Sequence, residues 1–118
     1  MTVLDTNIVI YLLEGRLAEP IADEQVAVSV ITEIELLSFS RVDAKSEAGI
    51  RAFLGSILVV PLTIAIKDRA IQLRREHRLR IPDAIVAGTA SILGAELLTN
   101  DADLVGMAGV RCKSIKLK

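Results

Sequence analysis

The sequence predicts an α/β protein built on a parallel β-sheet. Short apolar runs alternate with helix-period segments along the chain, the pattern of βαβ units. Carboxylates recur just after those runs, where open parallel sheets place their ligands. Its 118 residues suit one domain with a modest core, residues 1–118, and no internal repeat, low-complexity segment or dividing linker interrupts them.

Strands are expected at Thr2–Leu4, Gln25–Val28, Ile57–Val60, Glu96–Leu98 and Gly109–Cys112. Helices are expected at Asn7–Leu13, Ile31–Ser40, Ser46–Leu54, Ile64–His77 and Pro82–Leu93. The segment "RLAEPIADEQ" reads as a short surface helix or turn, and Glu19, Asp23 and Glu24 as a solvated acidic face without chemistry. "SILVVPL" is a strand stopped by Pro61, with no acid at its end. The helix "AIVAGTASILG" is apolar almost all round and rich in small residues, which predicts burial, close backbone packing and an end at Gly94. "VRCKSIKLK" reads as an edge strand whose lysines protect it from pairing.

The composition is 52% hydrophobic and only 3% aromatic, so the core is aliphatic. A mean hydropathy of +0.50 is high for a small soluble monomer and points to an apolar surface covered by another chain. A membrane span needs about 20 consecutive apolar residues. The longest candidate, Ile85 to Leu98, is shorter and is broken by Glu96. No basic region precedes the first apolar stretch, so no secretory signal is expected. Cys112 is the only cysteine, which excludes an intrachain disulfide and suits a reducing cytoplasm. With a net charge of −1, contact with nucleic acid has to come from a local patch.

The candidate chemistry lies in Asp5, Glu35, Asp83 and the pair Asp101/Asp103. Asp5 follows the first strand and, with Thr6 and Asn7, reads either as a helix cap or as part of a site. Thr32 and Glu35 have the spacing of a capping box. Ser29 offers a competing cap, which moves Glu35 deeper into its helix and onto a face shared with Ile31 and Phe39, an awkward place for an unpaired charge. Asp83 follows Pro82 in a first helical turn, where the helix dipole favours an acid. "LLTNDADL" places Thr99, Asn100, Asp101 and Asp103 after a strand, and Asp101 stands closer to it. Ahead of Asp83, the helix with the apolar stripe Ile66, Ala70 and Leu73 carries Lys67, Arg74 and Arg75 on other faces, continued by Arg78 and Arg80. His77 continues the stripe and is expected to be partly buried. Those cations read either as a solvated helix face or, because the stretch runs directly into Asp83, as a patch for a phosphate backbone beside the acids.

Crowded carboxylates repel one another, and a cation relieves them. Hard oxygen donors without a Cys or His set point to Mg²⁺ or Mn²⁺ and not zinc, and so to metal-assisted phosphodiester hydrolysis. A receiver domain needs an acid after the third strand, and a haloacid-dehalogenase-type phosphatase needs a second Asp where Asn7 stands.

"VLDTNIVIYLL", "SVITEIELL", "RIPDAIVAGTA" and "LLTNDADL", in this order from residue 3 to about 104, resemble the PIN-domain family, specifically the short VapC-type toxins of toxin–antitoxin pairs. The resemblance implies a PIN fold with helices on both faces of the sheet and a Mg²⁺/Mn²⁺-dependent endoribonuclease working through metal-activated water. It implies Asp5, Glu35, Asp83 and Asp101 as the acidic site, with Asp5, Asp83, Asp101 and the accessory Asp103 on metal. Thr99 resembles the hydroxyl residue that orients the site, a role that the residues themselves also leave open to Thr6 and Asn7, and the basic stretch with Arg74, Arg75, Arg78 and Arg80 is the candidate contact for RNA. A homodimer neutralised by a small antitoxin in an apolar groove is also implied. Leu104 departs from the aromatic usual after the last Asp. The alternative is a PIN-like module that binds RNA or protein without cutting.

Overall fold

The computed structural model describes residues 1–22, 25–39, 42–107 and 109–118. The assignments made for Asp23 and Glu24, and the helix end expected at Ser40, lie outside these residues. The chain runs β1 (Thr2–Leu4), α1 (Thr6–Leu13), β2 (Val26–Ser29), α2 (Val30–Ser38), α3 (Ala44–Leu54), β3 (Leu58–Val60), α4 (Ile64–His77), α5 (Ile81–Leu93), β4 (Glu96–Leu98) and β5 (Cys112–Lys113).

The five strands form one parallel sheet in the order β3-β2-β1-β4-β5. Successive strand residues point to opposite faces, and both faces are covered. Val3, Ala27 and Leu97 pack under α4 and α5, together with Leu104 and Val110 of the last crossover. Leu4, Val28 and Leu98 pack under α1, α2 and α3, against Ile8, Val9, Leu36, Ile50 and Leu54. Right-handed crossovers explain this division. From β1 the chain steps outward to β2 and β3 with its helices on one face. It then returns past β1 to β4, and the reversed direction puts α4 and α5 on the other. The reversal makes β1 and β4 a topological switch point, which opens a crevice beyond their carboxyl ends.

Helix α4 packs closely on α5. Gly88 permits it, since a Cβ there would stand 3.2 Å from Ile66 O and 3.3 Å from Ala70 N. That is the close backbone packing expected of this helix.

The structure moves several sequence-based boundaries. Asp5 itself caps α1, so the helix starts at Thr6 and not Asn7. Asp43 Oδ1 accepts from Ser46 N–H at 2.7 Å and starts α3 two residues before the expected Ser46. The last strand is Cys112–Lys113, because Gly109 adopts a positive φ of 85° and Val110 turns into the core first. It lies at the sheet edge, as expected. Around Leu17 there is no helix; that residue forms an antiparallel bridge with Leu117, tying the end of the chain beside α1. His77 is partly buried as expected, and makes no hydrogen bond to any of the acids. Among the described residues no helix is long and apolar enough to cross a membrane.

Candidate functional site: acids at the switch point

β1 and β4 run in register, with Leu4 opposite Leu98, so the residues that follow them emerge side by side. These are Asp5 and Thr99. Asp5 is buried; its Oδ1 accepts from Thr6 N–H at 2.9 Å and its Oδ2 from the Thr99 hydroxyl at 2.7 Å. Thr99 is fully buried, and the same hydroxyl oxygen accepts from Asp101 N–H at 3.1 Å. Burial pushes the Asp5 carboxyl above its ordinary value of 3.8. The bonds from Thr99 and Thr6 pull it back in part, and the charges of Asp83 and Asp101 push it further up.

Asp83 is also buried, in the first turn of α5, and Pro82 ahead of it supplies the fixed backbone angle that starts the helix. Its Oδ2 accepts from Arg80 Nε at 3.3 Å, in the i,i+3 relation of that turn. The Arg80 side chain is 80% exposed. Asp83 above all, then Asp101 and Glu35, push the guanidinium's pKa up. The fields of Asp5 and Arg80 thus connect four acids carried by the exits of β1 and β4, the body of α2 and the start of α5.

Glu35 resolves one of the two readings made for it. Ser29 Oγ accepts from Ile31 N–H at 3.1 Å and caps α2, so Thr32 and Glu35 form no capping box. Glu35 therefore lies further into α2. That face is open to solvent at this end, so the charge is not awkwardly placed: Glu35 is exposed, and so is Phe39. Its Oε1 accepts from the Thr6 hydroxyl at 2.7 Å. Thr6 consequently touches two acids, Asp5 through its backbone and Glu35 through its side chain.

Of the last pair, Asp101 is half-buried and acts on Asp5, whereas Asp103 is exposed and its N–H donates to Asp101 Oδ1 at 2.9 Å. Asn7 is exposed and joins no hydrogen bond of this network. In the basic stretch, Arg74 Nε is occupied by Leu79 O at 2.8 Å. Arg78 is the left-handed cap of α4, with φ 53°, and is exposed beside Arg75. Of the four arginines, Arg80 is the one in contact with an acid of the cluster.

Two contributors escaped sequence reading. Thr32, considered there only as a cap, is fully buried with its Oγ1 3.0 Å from Thr6 Oγ1. Asn100, read as a turn former, pins the loop after β4 by donating to Ile115 O at 3.0 Å and accepting from Ile115 N–H at 2.8 Å. Only a partner 15 residues away gives Asn100 this role, so no local signal marks it.

An oxygen-only donor set with mutual repulsion fits a hard divalent cation. Asp5, Asp83 and Asp101 fit best, since the charges of Asp83 and Asp101 both act on Asp5. They converge without forming a closed cage: among the described residues, no group of three acidic, His or Cys side chains is arranged to hold a metal ion. Beside the acids, a groove of about 1000 Å³ starts at Thr6, Asn7 and Glu35 and runs between α1, α2 and α3 over Ile10, Leu36, Phe39 and Ile50.

The family model of the PIN domain matches residues 2–110, and the chain belongs to that family. The chain is similar to one in a toxin–antitoxin complex from Klebsiella pneumoniae, with 33% identity over 93% of this chain and 95% of that one, and a TM-score of 0.79. The fold is shared with VapBC2 from Rickettsia felis bound to a promoter DNA fragment (19% identity, 98% of each chain, TM-score 0.81). It is shared equally with DNA-bound VapBC from Salmonella typhimurium (21% identity, 96% of each chain, TM-score 0.81). A search of curated proteins gave no significant match.

Asp5 supplies a test of the electrostatics. It holds its proton more tightly folded than unfolded, so its contribution to stability is complete below 3.8 and is lost as pH rises through the higher folded-state value. Urea unfolding of the metal-free protein from pH 4 upward should show wild type losing stability relative to Asp5→Asn. Parallel pH profiles for the two proteins would reject the assignment.

Proposed function

We propose that this chain is the toxin of a toxin–antitoxin pair, an endoribonuclease dependent on Mg²⁺ or Mn²⁺. The observation that carries the reading is Asp5, a buried carboxylate fixed by Thr6 and Thr99 and pressed by the charges of Asp83 and Asp101. A site so arranged is relieved by a cation. The similarity to the Klebsiella chain supports the toxin role.

Asp5, Asp83 and Asp101 hold the cation in this reading, with Asp103 at the rim. When bound, a divalent ion supplies activation of water and neutralisation of charge on the phosphodiester oxygens. The residues do the remainder. Thr99 keeps Asp5 oriented, and Glu35, exposed and bonded to Thr6, accepts the proton of the attacking water at its carboxylate. Arg75, Arg78 and Arg80 attract the RNA backbone to the acids. The protein should cleave RNA with Mn²⁺ or Mg²⁺, stop on addition of chelator, and lose at least about a hundredfold in rate in Asp5→Asn. RNA binding that persists unchanged with chelator and without cleavage would establish a non-cutting module instead.

The groove beside Glu35 suits an apolar segment of a small antitoxin, which would then lie against the acids. Phe39, 62% exposed at its wall, is the natural anchor. Expression alone should arrest growth, and co-expression of the small protein encoded alongside should relieve it. Growth unaffected by a folded, RNA-cleaving protein would sink the toxin role.

Further apolar exposure follows the β3 edge at Leu58, Leu62 and Ile64, the last 74% exposed, and fits a second copy of the chain. Light scattering should return twice the chain mass for wild type and the single mass for Ile64→Lys. A monomeric wild type rejects the homodimer.

A further inference from the structure

Thr32 lies in the first turn of α2, fully buried, and the cap of that helix is already made by Ser29. Its hydroxyl oxygen stands 3.0 Å from that of Thr6, and Thr6 in turn donates to Glu35 at 2.7 Å. The direction of the first bond follows from proton counting. Each hydroxyl has one proton, and an ionised carboxylate only accepts. With the Thr6 proton on Glu35, the proton between the two threonines belongs to Thr32.

A threonine inside a helix commonly spends its proton on the carbonyl four residues back. Thr89 does so, donating to Ile85 O at 2.7 Å. For Thr32 the residue four back is Val28, which lies in β2 and not in the helix. The Thr32 proton is therefore available to Thr6. Were Thr6 to donate to Thr32 instead, Glu35 would lose its partner. An exposed glutamate without one samples many rotamers, at an entropic cost to any single working geometry.

We infer that Thr32 is a positioning residue: its buried hydroxyl donates to Thr6, commits the Thr6 proton to Glu35, and so holds that carboxylate beside the Asp5 turn. This rests on the reading of Glu35 as proton acceptor in RNA cleavage. The relay itself is a property of the protein before RNA or metal is added.

Two measurements test it. In the metal-free protein, nuclear Overhauser contacts of the threonine hydroxyl protons should place the Thr6 proton against Glu35 and the Thr32 proton against Thr6. In Thr32→Val the Thr6 proton should exchange with solvent at least about fivefold faster. A Thr6 proton directed at Thr32, or unchanged exchange in the variant, overturns the relay whether or not the protein cuts RNA. In cleavage assays, Thr32→Val should lower kcat about five- to tenfold with KM for RNA unchanged, and Thr32→Ser should restore it. Mn²⁺ affinity, titrated without RNA, should stay within about twofold of wild type. In a Glu35→Gln background the Val substitution should cost nothing more. The same proportional loss there, or a loss that Ser fails to restore, assigns Thr32 a merely structural part. If wild type cleaves no RNA, the nuclease reading fails, and the hydroxyl contacts still decide the relay.

Discussion

The hydrogen bond from Thr99 to Asp5 is the constraint on which the site depends. It joins residues 94 apart in sequence, at the exits of two strands paired in register, and it lies where the order of a parallel sheet reverses. A carboxylate in that crevice loses much of its hydration, which raises the free energy of its charged form. Two directed donors, the Thr99 hydroxyl and the Thr6 N–H, offset part of that cost and leave the side chain a single orientation. Each neighbouring acid then acts on a fixed charge. Desolvation is the largest cause of the Asp5 shift, and repulsion by Asp83 and Asp101 comes after the two stabilising bonds.

The same few side chains close the helices and build the cluster. Asp5 caps α1 while accepting from Thr99, and Asp83 satisfies the dipole of α5 while receiving Arg80. A capping residue at a strand-to-helix turn is held by backbone geometry on both sides, so the cluster costs little additional ordering. Glu35 differs. It belongs to a helix already capped by Ser29, stands in solvent, and is held by the Thr6 hydroxyl, itself bonded to Thr32. The buried acids are thus set by the fold and the exposed one by a side-chain chain.

The apolar content also finds its place. Much of it fills two aliphatic layers on either side of the sheet, as the near absence of aromatics requires. The remainder lies in the groove beside Glu35 and along the β3 edge, where Phe39 and Ile64 stand in water. A short edge strand with apolar flanks is a surface that proteins ordinarily cover.

How much of this was legible depended on the range of the interactions concerned. The ten elements of the described residues could be read from the chain, because hydrophobic period, Pro82 and Gly94 act within a few residues. The parallel sheet and the position of acids after strands followed from that alternation, and four ordered motifs resembled the family to which the chain belongs. Other features needed tertiary contacts. Whether Ser29 or Thr32 capped α2 turned on the strand's end; the exposure of Glu35 turned on which face of α2 meets the sheet. The nearness of Asp101 to Asp5, the anchoring of Asn100 by Ile115 and the bond between Thr6 and Thr32 join residues that only strand pairing brings together. Local chemistry in the chain determined which residues were able to form the site; the register of β1 against β4, a long-range property, decided which of them meet.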